Sequence, residues 1–216
     1  GLKRFAAMMF EGSCAPAWHA AGSCPHGHVV HVPFSDFTWP QNPSWLDVIA
    51  AFYSSMPLVI LVMLPVWVAF RRGLHHAAVF LYVSFGSVLI MWPLKVYFHQ
   101  MRPEGSCLTS CGMPSGHSIQ SMGLATLAFC EFPLQGFNTQ VTLMVLVALL
   151  PVPWARVQLR DHSVEQVVAG GVVGFLSAMV YFVFLRYVVW TRAPRLSKTL
   201  NLIDDCSPRY GSCKQR

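Results

Sequence analysis

A chain of 216 residues is long enough for one domain, and no linker-like stretch, internal repeat or low-complexity run divides it. Its composition, 54% hydrophobic and 11% charged with a mean hydropathy of +0.48, excludes an ordinary soluble domain, in which roughly 25% of residues are charged. The formal net charge of +6 does not indicate nucleic acid: the basic residues form no aromatic-laced patch, and several lie beside apolar segments as in membrane proteins.

Residues 1–46 precede the first long apolar run and are rich in Pro, Gly, Trp and His. His19, Cys24, His26, His28 and His31 suggest zinc, but their spacing fits no standard zinc module, and a structural or membrane-interface role suits them better. The chain begins at Gly1 rather than Met, which leaves its natural start open.

A membrane domain is expected over residues 47–191. Val48 to Phe70 is uncharged for 23 residues and predicts the clearest transmembrane helix, despite Pro57 and Pro65. Ala77 to Leu94 is the second span, and Ser118 to Cys130, extended back to Pro114, the third. The fourth covers Val141 to Ala155. The fifth runs from Val167 to Leu185, extendable to Trp190, and its Gly170, Gly171 and Gly174 predict close approach of a neighbouring helix. Residues 192–216 read as a polar, disordered tail that includes Cys206 and Cys213. The expected fold is all-α, a polytopic transmembrane bundle with five or six helices in or near the membrane.

Arg71, Arg72, His75 and His76 follow the first span, and Arg186, Arg192, Arg195 and Lys198 end or follow the fifth. The positive-inside rule puts both clusters in the cytosol and residues 1–46 on the other side. Cys14, Cys24, Cys107 and Cys111 fall there too, where disulfides can form, but four cysteines allow three pairings and the sequence does not choose among them.

Three short stretches fall on that same side. Lys95 and Arg102, with Pro103, would lie about two helical turns apart on nearly one face. Pro114-Ser115-Gly116-His117 opens an apolar helix, with Ser115 as N-cap and Gly116 allowing a ligand close to the backbone. Arg156 and His162 lie between the fourth and fifth spans. Each has a plain alternative: snorkelling cations, an ordinary capped helix, a solvated loop. Together they gather three cations, two histidines and a helix start suited to phosphate, which points to phosphoryl transfer at a membrane surface. No charged residue lies at mid-span, which argues against a transporter.

These stretches resemble the signature of the type-2 phosphatidic acid phosphatase superfamily: Lys-x6-Arg-Pro, Pro-Ser-Gly-His and Ser-Arg-x5-His-x3-Asp. The likeness runs from Lys95 to about Gly171, with Ala155 in place of the Ser and Gln166 in place of the final Asp. His162, Gln166, Gly170 and Gly171 make the ending similar to that of the dolichyldiphosphatase branch. The resemblance implies that His162 attacks phosphorus and that His117 protonates the leaving oxygen. Lys95, Arg102, Arg156, Ser115 and Gly116 would hold the phosphate, and Gln166 would orient His162. Asp161 and Glu165 are nearby acids, but on a helix Asp161 would point to another face.

The resemblance further implies a metal-independent hydrolase without a cofactor, which converts dolichyl diphosphate to dolichyl phosphate and inorganic phosphate. It would act at the lumenal face of the endoplasmic reticulum membrane and recycle the carrier used in protein N-glycosylation. Another lipid phosphate (phosphatidate, a sphingoid-base phosphate or an isoprenyl diphosphate) is the alternative substrate, and a non-catalytic phospholipid-binding scaffold the alternative class. The expected partners are the membrane and a lipid-linked phosphate; the oligomeric state is not readable.

Overall fold

The computed structural model describes residues 14, 16, 18, 19, 22–32, 35–71, 73–131, 139–201, 206, 207, 212 and 213. A hairpin absent from the sequence reading comes first: β1 (Gly27–Val30) pairs antiparallel with β2 (Phe37–Pro40), with Val30 opposite Phe37. Alternating β-branched and aromatic residues (Val29, Val30, Phe37, Thr38, Trp39) favour it. Phe37 is buried with Ala50, Ala155 and Leu159, so the N-terminal segment packs on the helices.

The first apolar run is two helices, α1 (Trp45–Ser54) and α2 (Met56–Arg71). Ser44 caps α1 in a reciprocal capping box with Asp47. The run breaks at Ser55, two residues before Pro57, which has no N–H to continue the helical ladder and is tolerated in the first turn of α2. The second run comprises α3 (Leu74–Leu81), a π-helical turn over Tyr82–Gly86, and α4 (Ser87–Phe98). It ends at His99, which adopts a left-handed conformation with φ 44°. Then come α5 (Gly116–Glu131), α6 (Thr139–Leu149), the short α7 (Val152–Gln158) and α8 (Val164–Phe184).

Among the described residues, three helical stretches have the length and apolarity to cross a membrane: Trp45–Phe70, His76–Phe98 and Val164–Leu200. The other two expected spans are shorter, Gly116–Glu131 and Thr142–Gln158. The segment expected as a disordered tail begins as helix α9 (Ala193–Leu200), whose Ala193 and Ser197 are buried. Cys206–Ser207 (β3) pairs with Ser212–Cys213 (β4), and the remainder of that tail lies outside the described residues.

Packing centres on α5 against α8. A Cβ on Gly170 would lie 2.6 Å from the Ser115 carbonyl oxygen, and one on Gly174 2.4 Å from that of Ile119. Backbone therefore meets backbone at these two glycines. Gly171 is not needed for the contact: its Cβ would meet Met122 Cγ at an ordinary 3.5 Å. Tyr82 crosses to the same helix, with its hydroxyl 2.8 Å from Ser177 Oγ. Leu74 and Ala78 pack with Leu185, Trp190 and Ala193. The stretches after α2 and α8 thus lie together, roughly 30 Å along α8 from its start at about 1.5 Å per residue.

Candidate active site

The three motifs converge at one end of the bundle: the end of α4, the starts of α5 and α8, and the end of α7. Lys95 and Arg102 do not share a helix face, because α4 stops at Phe98 and Arg102 lies in the following loop. They reach the site separately. Lys95 Nζ donates to the carbonyl of Cys111. Arg102 donates from Nε to the Ser110 carbonyl at 2.8 Å, from Nη2 to Ser110 Oγ at 3.0 Å and from Nη1 to the Asp161 carbonyl at 2.7 Å.

Arg102 Nη1 also lies 3.0 Å from His162 Nε2, and His162 Nδ1 lies 3.2 Å from Gln166 Oε1. These contacts settle the ring. A guanidinium only donates, so Nε2 presents its lone pair. Gln166 is fixed as well: Oε1 accepts the Ser163 N–H at 3.2 Å, and Nε2 donates to the Met101 carbonyl at 2.8 Å and to Gln100 Oε1 at 3.2 Å. The hydrogen of His162 therefore sits on Nδ1, pointing at Gln166.

This contact does not span a helical turn. His162 precedes α8, and Gln166 turns back toward it as the third residue of a capping box with Ser163. Gly112 makes room, since a Cβ there would lie 2.5–2.7 Å from the Gln166 carboxamide. Burial, and after it the charges of Arg102, Arg156 and Lys95 and the His117 ring, hold His162 well below the ordinary histidine pKa. The ring is neutral near pH 7, with an in-plane lone pair on Nε2.

Arg156 is buried, 1% exposed. Its Nη2 donates to the Asp36 carbonyl at 3.0 Å and pairs with Asp161 Oδ2 at 3.0 Å. Its Nε and Nη1 have no hydrogen-bond partner among the described residues. A buried guanidinium with two unsatisfied N–H groups is costly unless an anion completes it. Asp161 departs from its sequence reading: it lies outside any helix and fully buried, tied to Arg156 and, through Oδ1, to the Thr38 N–H at 3.1 Å. Glu165 is exposed.

Ser115 caps α5: its carbonyl accepts from Ile119 at 3.0 Å and its Oγ from Ser118 at 3.4 Å. Its own N–H is not free, donating to the Gln166 carbonyl at 3.1 Å. The space a Cβ on Gly116 would need is taken by Met91 Sδ, so this glycine accommodates helix packing. His117 Nε2 lies 3.0 Å from Ser35 Oγ.

Cys14 bonds to Cys111 and Cys24 to Cys107, which selects one of the three pairings and fastens the N-terminal segment to the loop carrying Arg102. Cys24 is thereby spent, and of the nearby histidines His31 contacts Asp36 at 3.4 Å. The sequence reading missed Ser35 and Gly112, which carry no local signal, and set Asp161 aside on the assumption of a helix that in fact begins only at Val164.

The model of the PAP2 superfamily matches residues 76–190, more than half of the chain. The chain is 29% identical over 168 residues to dolichyldiphosphatase 1 of Rhinolophus ferrumequinum and 27% to that of Homo sapiens, covering 68% of each sequence. It is 28% identical over 182 residues to the dolichyldiphosphatase of Saccharomyces cerevisiae, covering 76% of this chain and 73% of the yeast one. No solved structure matches it.

Proposed function

This chain belongs to the PAP2 superfamily, and from that premise we propose that it hydrolyses dolichyl diphosphate to dolichyl phosphate and inorganic phosphate through a phosphohistidine at His162. The observation that carries the reading is the state of that ring: buried, neutral, its hydrogen on Nδ1 held at Gln166 and its Nε2 lone pair facing a guanidinium. A phosphoryl group entering between His162 and Arg102 takes over the Nη1 donor and meets the lone pair in line.

The remaining groups fall into roles that their chemistry allows. Arg156 offers Nε and Nη1, and Arg102, Lys95 and the start of α5 complete a positively charged cradle for the equatorial oxygens. Gln166 orients the nucleophile but adds no charge to it. His117 gives a proton to the leaving oxygen as the P–O bond breaks. Water then attacks the phosphorus of the phosphohistidine, the P–N bond breaks, and the proton from water returns to His117.

Two observations support a lumenal site in the endoplasmic reticulum membrane. The disulfides lie at the site's end, as an oxidising compartment allows. The segments after α2 and α8, whose sequences are basic, pack together at the other end through Leu74, Ala78, Leu185, Trp190 and Ala193. With Gly116–Glu131 and Thr142–Gln158 counted as crossings, the bundle has five spans. The substrate rests on the names of the relatives and implies recycling of the lipid carrier for N-glycosylation. The test is phosphate release by purified protein from a panel of dolichyl, isoprenyl, sphingoid-base and diacylglycerol phosphates with chelator present. Preference for the diphosphate of a long isoprenoid is the expected result. A strict preference for phosphatidate would refute the substrate assignment and leave the site chemistry standing.

A further inference from the structure

Residues 35–38 lie outside all three motifs, yet they touch three groups of the site. The Asp36 carbonyl reaches Arg156, the Thr38 N–H reaches Asp161, and Ser35 Oγ reaches His117. Thr38 Oγ1 also accepts the Cys107 N–H at 2.9 Å, which ties this strap to the loop that carries Arg102.

We propose that Ser35 is a positioning residue for His117: it fixes the hydrogen on Nε2 so that the ring delivers its other proton, from Nδ1, to the leaving oxygen. The proposal rests on the phosphohistidine reading above and is an argument of hydrogen-bond inventory. A carbonyl only accepts, so the single hydroxyl hydrogen of Ser35 is committed to the Ser54 carbonyl at 2.7 Å. That leaves Oγ only lone pairs to offer His117 Nε2 at 3.0 Å, and Nε2 must donate.

The Ser54 carbonyl is open to Ser35 because the helix breaks there. Leu58, the usual helical donor to it, bonds the Ser55 carbonyl instead, and Pro57 has no N–H. Ser35 is 1% exposed, so neither bond competes with bulk water. The two histidines then mirror one another. His162 keeps its hydrogen on Nδ1 and uses Nε2; His117 keeps one on Nε2 and works through Nδ1. When protonated His117 gives up the Nδ1 hydrogen to the departing oxygen, it becomes the neutral Nε2–H tautomer that Ser35 already holds. In the second half-reaction Nδ1 takes the proton from the attacking water.

The test uses the full chain, with Ser35→Ala, His117→Ala, the double variant and Ser35→Thr, on two substrates with one tail. Farnesyl monophosphate expels an alkoxide that needs a proton; farnesyl diphosphate expels a phosphate that needs it less. Ser35→Ala is expected to lower kcat about tenfold on the monophosphate and about twofold on the diphosphate, with KM little changed, as a fraction of the 10²–10⁴ that proton transfer supplies. Ser35→Thr should restore the rate, and the double variant should be no slower than His117→Ala. Equal losses on both substrates, or losses that multiply in the double variant, would overturn the role of Ser35. Those results would leave the nucleophile untouched; phosphate trapped on His162→Ala would overturn the underlying mechanism instead.

Discussion

Replacing Gln166 tests orientation of His162, the proposed nucleophile, against stability of the fold. Its carboxamide makes four contacts: Oε1 with His162 Nδ1 and the Ser163 N–H, and Nε2 with the Met101 carbonyl and Gln100 Oε1. Gln166→Ala strands at least the His162 N–H and the Met101 carbonyl. At about 1–3 kcal/mol for each buried group left unpaired, the loss is about 2–6 kcal/mol. For a chain of this size that lowers Tm by roughly 5–20 °C. The His162 ring, freed at Nδ1, should lose about 10–100-fold in kcat with little change in KM, a fraction of what a positioned proton-transfer group contributes. Gln166→Asp restores the superfamily's residue and can accept from His162 after a small shift, but it has no amide for Met101. It should recover part of kcat and little of Tm. The assay is kcat and KM on farnesyl diphosphate beside thermal unfolding in detergent, with exposed Glu165→Gln as a control within about 0.5 kcal/mol of wild type. A Gln166→Ala protein that loses Tm but keeps kcat would refute orientation of His162 as the function of this side chain.

Rapid quench should trap labelled phosphate on the wild-type protein and none on His162→Ala; equal trapping would exclude His162 as nucleophile. The depressed pKa of His162 means that acid must go below the ordinary histidine range, about 6.5, before the lone pair is lost, so the acid limb of kcat/KM should lie below that value. Lys95→Met removes one of the cations that depress it and should move that limb upward; an unchanged limb would dissociate it from His162. Vanadate should raise Tm in the presence of chelator by filling the open Nε and Nη1 of Arg156, and Arg156→Leu should abolish the shift. Asp161→Asn should weaken vanadate binding by leaving Arg156 without its buried counter-charge, and equal affinity would show that Asp161 does not hold the guanidinium.

The sequence is read well where chemistry repeats locally. An uncharged run announces a span, glycines at helical spacing announce a close helix, and the three motifs announce the end of the bundle where their side chains meet. It is read poorly where a long-range contact decides. Nothing near Asp161 says that its carboxylate turns inward to Arg156, because the helix that would have turned it away begins only at Val164. Nothing near Ser35 says that it meets His117, 82 residues away. The spacing of Lys95 and Arg102 predicts one helix face, but a left-handed His99 ends the helix between them, and the two cations reach the site from different segments. The pairing of the cysteines is of the same kind, a fact of the folded loop.

The two crosslinks close loops over separations of 97 and 83 residues, and the first two apolar spans lie inside both. Cys14 and Cys24 must therefore wait, already made, for partners that emerge only after the chain has crossed the bilayer and returned. The latch closes only if that return happens on the side where thiols are oxidised. A copy inserted upside down keeps its helices and its motif residues, but lacks the two covalent ties between its N-terminal segment and the loop that carries Arg102. On the lumenal orientation proposed above, a misoriented molecule would therefore be an incompletely assembled one.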